Sequence, residues 1–207
     1  MKVFGVGMFK TGTTSLEHAL TLLNFKHVPP IKYFDAFTNL PDIDYDFINH
    51  TFTSNELNAI KEITSMYNAF SDHPWIWSYK QCYNLYPDAK FILTTRSSSQ
   101  KVANSEINFW KAHQRVDQID PESRDYPDAK LFIERYESHN SEVREFFVDK
   151  PNNFLEVCWE HGHGWNELCE FLNLNVPKYV DFPHSNSIGE LRSLIAKRES
   201  DLKNETI

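Results

Sequence analysis

The stretch Gly7-Met8-Phe9-Lys10-Thr11-Gly12-Thr13-Thr14-Ser15 limits what this chain can fold into more than any other. It follows an apolar run, Val3-Phe4-Gly5-Val6, with the composition of a buried strand. It precedes Leu16, Ala19, Leu20 and Leu23, spaced as one face of a helix. A strand, a glycine-containing turn and a helix in that order gather backbone N–H groups at a helix N-terminus, where they and the helix dipole hold an anion. The interval from Gly7 to Gly12 is that of a P-loop. Thr13, however, stands where a lysine follows the second glycine in that motif, and the lysine comes earlier, as Lys10. Thr13, Thr14 and Ser15 add three hydroxyls. Thr14-Ser15-Leu16-Glu17 also reads as a capping box, which assigns one of those hydroxyls to the helix instead of a ligand.

The length of 207 residues suits one domain, 1–207, with a sizeable core. A formal net charge of -8 argues against a nucleic-acid surface. Cys82, Cys158 and Cys169 lack metal-ligand spacing and fit structural thiols in a reducing compartment. The apolar run after Met1-Lys2 is too short for a signal peptide or membrane anchor, so the expected setting is cytoplasmic, without a transmembrane segment.

Along the chain, Phe25–Val28 reads as a short strand ended by Pro29-Pro30. Residues 31–52 form an aromatic, acidic excursion without a clean period. Thr53-Ser54-Asn55-Glu56 is a capping box for a helix carrying Leu57, Ile60, Ile63 and Tyr67 on one face. Phe70–Pro74 is a break, and an aromatic helix runs from Trp75 to about Tyr86. Lys90–Thr95 is the clearest strand, with a helix after it through Val102, Ala103, Ile107 and Trp110. Residues 112–128 read as a surface or acceptor-side loop. Leu131 to Phe147 keep helical spacing, Asn153–Val157 is a further strand, and Gly162–Trp165 turns into a helix to Leu172. A capping box at Ser187–Glu190 opens a C-terminal helix over 187–207. Alternating strands and helices give an α/β fold of three layers, a mostly parallel sheet between helices, whose ligands bind beyond the carboxyl ends of the strands. The loop at Lys10 and Arg96 both fall at such ends.

Lys10-Thr11-Gly12-Thr13-Thr14-Ser15-Leu16 resembles the 5′-phosphosulfate loop of the sulfotransferase family. The resemblance extends through Arg135-Tyr136-x-x-His139-Asn140 and Gly162-x-Gly164-Trp165-x-x-Leu168-Cys169-x-Phe171-Leu172 to Phe182-Pro183-His184-x-Asn186, a bacterial-type pattern. It implies a P-loop fold and transfer of a sulfuryl group from 3′-phosphoadenosine 5′-phosphosulfate to a hydroxyl or amine. The nucleotide product is 3′,5′-adenosine bisphosphate, and no metal is required. The acceptor is a small molecule, a glycan or a lipid.

By this resemblance Lys10, Thr11, Gly12, Thr13, Thr14 and Ser15 hold the 5′-phosphosulfate, with Lys10 stabilising the charge that grows during transfer. Arg96 and a helix serine hold the 3′-phosphate. The usual interval from that arginine lands on Asn104, one residue before Ser105, so both are candidates. Arg96 in a surface ion pair is the structural alternative. Asp72, two residues before Pro74, matches the position of the general base, with His73 beside it as fallback. Alternatively Asp72 only caps the helix from Trp75. Gly164 and Trp165 lie near the nucleotide by resemblance, although a Trp opening an amphipathic helix is also a core residue. Glu160-His161-Gly162-His163 lacks a spaced third ligand for a metal. Phe146–Asp149 imitates a Walker B strand but continues the helical period from Leu131. Two rival functions use the same loop: an ATP-dependent small-molecule kinase, and a non-catalytic protein that binds adenosine bisphosphate.

Overall fold

The structure is a computed structural model that describes residues 1–29, 51–116 and 129–184. Its elements are β1 (Val3–Gly5), α1 (Thr13–Leu22), α2 (Ser54–Met66), β2 (Ala69–Phe70), α3 (Trp75–Leu85), β3 (Lys90–Thr95), α4 (Ser99–Val116), α5 (Ala129–Phe147), β4 (Phe154–Cys158) and α6 (Trp165–Leu172). A 3-10 turn, Trp159–His161, follows β4 directly. The four strands form one sheet in the order β2-β1-β3-β4, parallel at every pairing.

Strand alternation sorts the core into two layers. Val3, Ile92 and Val157 face α1 and α6, meeting Leu16, Ala19, Leu20, Leu168 and Leu172. Phe4, Phe70, Phe91 and Leu93 face the other way, toward α2, α3 and α5, where Ile60, Trp75, Tyr79, Val143 and Phe147 cover them. The register puts one phenylalanine per strand in a row across the sheet: Phe70 beside Phe4, Phe4 beside Phe91, and Phe91 beside Phe154. Phe4 stacks on Phe70 at 4.7 Å and on Phe91 at 5.2 Å between ring centroids. Phe147, the last residue of α5, stacks on Phe154 at 5.1 Å. The α/β architecture with a parallel sheet between helices is therefore as expected.

Some boundaries differ. The break at Phe70 contains the two-residue strand β2. The segment near His27 contributes only a single parallel bridge to Ala69, where Val28 N–H donates to the Ala69 carbonyl before Pro29 ends the pairing. The box at Thr53 forms as expected, with the Thr53 hydroxyl and Glu56 carboxylate bonding reciprocally. The box at Thr14 does not, because α1 is entered from Gly12 with no side-chain cap. Helix α4 runs to Val116, so the loop expected from 112 starts no earlier than 117. The remainder of that loop, most of 31–52 and the C-terminal helix over 187–207 lie outside the described residues. Among the described residues no helix is long and apolar enough to cross a membrane. All three cysteines are free and buried.

Candidate functional site

The turn between β1 and α1 lies beyond the carboxyl end of the sheet and is held from several sides. Gly7 packs so closely on Thr94 of β3 that a Cβ would run into its hydroxyl and backbone. His139, on α5, donates from Nε2 to the Val6 carbonyl at 2.7 Å. That imidazole is buried, and desolvation lowers its pKa, so it is a neutral donor. Thr11 is fully buried, and its hydroxyl is spent on the Met8 carbonyl at 2.5 Å and the Thr94 hydroxyl at 2.7 Å. What Thr11 offers a ligand is backbone.

Two residues give the loop its reversal. Lys10 has φ 63 and Gly12 has φ 94. The left-handed conformation is inexpensive only for glycine, so the turn stores strain at Lys10. Gly12 precedes Thr13, the first residue of α1. The early N–H groups of any helix have no acceptor within it and project from its N-terminus. Thr13 and Ser15 are buried beneath the loop, and Thr14 is half-buried.

The Lys10 ammonium lies over the Phe109 ring, 3.2 Å from its centroid. Burial lowers its pKa, while the charges of Glu106 and Asp72 oppose that shift. Glu106, on α4, is 7% exposed. Asp72 follows β2, with φ 62. Burial raises its pKa, partly offset by a hydrogen bond from the Thr13 side chain and by the Lys10 charge. Its Oδ1 is buried with no hydrogen-bond partner among the described residues. Asp72 does not cap α3 through its side chain: Pro74 occupies the cap, and only the Asp72 carbonyl joins, accepting from Ile76 N–H. His73 is half-buried beside it. Lys10, Thr13 and Asp72, from two separate strand ends, thus form one cluster, with Glu106 added from α4.

Arg96, just after β3, reaches back to this turn. Its Nη1 donates to the Lys10 carbonyl at 3.2 Å, and its own N–H donates to the Tyr136 hydroxyl at 2.9 Å. Its Nη2 donates to Glu160 Oε1 at 2.8 Å. Glu160 Oε2 accepts from Ser97 N–H at 2.9 Å and from the Ser97 hydroxyl at 2.6 Å. Partial burial opposes ionisation of Glu160, but these bonds and the Arg96 charge outweigh it and hold its pKa at about 2. Asn104 is exposed and accepts from the Gln100 amide at 3.0 Å, while Ser105 is half-buried one position on. Beyond Arg96 a cleft of about 470 Å³ opens between β4 and α5, lined in part by Tyr136, Asn140, Arg144, Glu156 and His163.

Two tryptophans follow β4. Trp165 is buried at the start of α6 and donates to the Val180 carbonyl at 2.8 Å. The indole that meets the loop is Trp159, which donates to the Gly12 carbonyl at 3.2 Å and packs on Phe182 at 4.5 Å. Gly164 N–H donates to Glu167 Oε2 at 2.7 Å, opening α6. His163 accepts the Cys158 N–H at 3.0 Å, and Glu160 is committed to Arg96.

Glu106, Trp159 and Glu160 were not among the residues expected at the site. Glu106 had a signal: it continues the buried face of Val102 and Ala103 and stands three residues before Phe109. An acid on an apolar stripe requires a partner, and Lys10 is close enough for its charge to be felt. Trp159 and Glu160 had no local signal, because their partners are distant in sequence.

Comparison with known proteins agrees with this geometry. The family model described as a sulfotransferase domain matches residues 2–118 and 99–191. The chain is also similar to a protein named Ava biosynthesis cluster protein M from Aspergillus versicolor, 26% identical, over 93% of this chain and 84% of the relative. A strand–loop–helix turn carrying an internal lysine, together with a match across nearly the whole chain, places this protein in the sulfotransferase domain family.

Proposed function

We propose that this protein transfers a sulfuryl group from 3′-phosphoadenosine 5′-phosphosulfate to a hydroxyl or amine of a small molecule, glycan or lipid. Family membership makes sulfuryl transfer the general class of activity. The observation that carries the finer reading is the nearness of the Lys10 charge to Asp72, whose buried Oδ1 has no hydrogen-bond partner among the described residues. A buried carboxylate oxygen without a donor costs free energy unless something supplies a proton or hydrogen bond to it. An acceptor hydroxyl would do so as it attacks.

The loop residues fit the donor. The turn has a left-handed Gly12, the amides of a helix N-terminus and a lysine whose ammonium lies over Phe109. Lys10, Gly12, Thr13, Thr14 and Ser15, with the Thr11 backbone, would hold the 5′-phosphosulfate. Arg96, with Ser105 or Asn104, would face the 3′-phosphate. Gly164 and Trp165 would support that end from behind Trp159. When bound, the donor supplies the sulfuryl group and the leaving oxygen.

The chain's own residues do the rest. Lys10 lies ready to stabilise negative charge at the loop, and burial strengthens that interaction. Asp72 takes the proton of the acceptor nucleophile. Its raised pKa makes it a stronger base than a solvated carboxylate, and the Thr13 hydrogen bond keeps it oriented. His73 is the second candidate for that proton. A small-molecule acceptor also accords with the relative's name, which refers to a biosynthesis cluster.

The test is calorimetric titration with 3′,5′-adenosine bisphosphate and, in parallel, with ATP and magnesium. Tight metal-independent binding of the bisphosphate is the expected result. Preference for magnesium ATP would move the chain to a kinase function. Tight bisphosphate binding with no transfer to any acceptor would leave a binding protein.

A further inference from the structure

The donors that a 3′-phosphate would need at the end of β3 are already engaged by a carboxylate of the same chain. Glu160 Oε1 accepts from Arg96 Nη2 at 2.8 Å and from Lys101 Nζ at 3.3 Å. Oε2 accepts the Ser97 amide at 2.9 Å and the Ser97 hydroxyl at 2.6 Å. A guanidinium, an ammonium, a backbone amide and a hydroxyl, gathered where α4 begins, are the donor types that bind a phosphate dianion. Here they converge on two oxygens carrying one negative charge.

Three features make this carboxylate displaceable. Its side chain is 27% exposed, so it is not locked into the core. It sits on a three-residue turn that ends at Gly162, in the left-handed conformation. A Cβ added at Gly162 would meet nothing within 4 Å, so the space beside the turn is open. Arg96, by contrast, is held from behind by the Lys10 carbonyl and, through its own N–H, by Tyr136. Arg96 is thus held from behind, while its acceptor lies on the open side.

Resting on the cofactor reading above, we propose that Glu160 is the residue that sets selectivity for the 3′-phosphate. Its carboxylate competes with that phosphate for a single donor set. A nucleotide bearing the group must displace Glu160 and place negative charge beside it. A nucleotide lacking the group leaves Glu160 in place. In the native protein part of the 3′-phosphate's binding free energy therefore goes into displacing Glu160, and removing the carboxylate charge reveals its full contribution.

The experiment is calorimetric titration, without metal, of the wild-type chain and of the variants Glu160→Gln and Glu160→Ala with adenosine 5′-phosphate and with 3′,5′-adenosine bisphosphate. The expected result is a gain of about tenfold or more in preference for the bisphosphate in both variants, the scale of one charge-assisted bond. Adenosine 5′-phosphate should bind all three proteins with nearly equal affinity. Adding Arg96→Ala to Glu160→Gln should erase the gain. An unchanged preference would overturn the proposal, and so would a reduced one, which would make Glu160 a support that orients Arg96 for the phosphate. Binding of neither nucleotide by the wild-type protein would instead remove the cofactor reading, and the proposal with it.

Discussion

The indole of Trp159 donates its N–H to the carbonyl of Gly12 across 3.2 Å, joining the end of β4 to the start of α1. The two are so close that a Cβ built on Gly12 would come within 2.5 Å of the Trp159 ring. This contact explains why the loop needs glycine there twice over, once for its φ of 94 and once for the indole above it. Substitution Gly12→Ala should therefore lower stability by more than the ~1–2 kcal/mol of a left-handed alanine. In a double-mutant cycle, Trp159→Ala should recover part of the excess and leave the backbone cost. Denaturant unfolding of the four proteins measures both parts, and full additivity would show that the ring contact is not energetically coupled.

Lys10 is tested separately. Lys10→Ala should abolish sulfuryl transfer, a loss of at least about 10²-fold for removing one charged group from the reacting centre. The melting temperature should fall only slightly, since Lys10 is only half-buried and alanine inherits the left-handed strain. Transfer assays with circular dichroism on the same sample check the pair of outcomes. Retained activity would remove Lys10 from the mechanism.

Asp72 gives opposite signs for activity and stability. Its pKa is raised above the ordinary 3.8 by burial. The fold therefore favours the protonated carboxyl. That stabilisation is fully present below the unfolded value and is lost as pH rises through the higher folded value. Above that folded value the ionised Asp72 costs stability, so there Asp72→Asn should raise the melting temperature while slowing transfer by about 10²- to 10⁴-fold. The acidic limb of the wild-type rate profile should disappear in the variant. Unchanged turnover would pass the role to His73.

His27 should make the fold acid-sensitive. Burial depresses its pKa from 6.5 to about 4, outweighing a backbone bond to Val28. Its 3.6 Å approach to Glu17 is therefore a contact with a neutral ring near pH 7. A depressed histidine contributes stability above pH 6.5 that is lost as pH falls through about 4, up to about 3 kcal/mol across that window. Thermal melts at steps between pH 7 and 4 should show this slope in the wild-type protein and a flatter one in His27→Gln. Equal slopes would mean that other groups govern acid unfolding.

The chain's local order was sufficient for the loop and for three of the four strands of the sheet, β1, β3 and β4. Gly7 to Ser15 form a turn because strand, glycines and helix are contiguous, and such geometry needs only near neighbours. Strand β3 and helices α1 and α5 followed from periodicity, because long amphipathic or apolar segments can bury themselves in few ways. Strand β2 was hidden because two residues carry no period, and it exists only because Ala69 and Phe70 pair with Val3 and Phe4.

The candidate site was legible only in part as a set of residues and not at all as an arrangement. Sequence placed Lys10 and Arg96 at strand ends, and resemblance named Asp72 in the break before Pro74. Only the strand order brought the Arg96 guanidinium to the Lys10 carbonyl, 86 positions away, and the Trp159 indole to Gly12, 147 positions away. The same packing turned Trp165 inward against Val180 and gave the Arg96 side chain to Glu160. Short-range backbone chemistry is written in neighbouring residues. Which charge meets which is decided by the register of the parallel sheet, where adjacent strands come from distant parts of the chain.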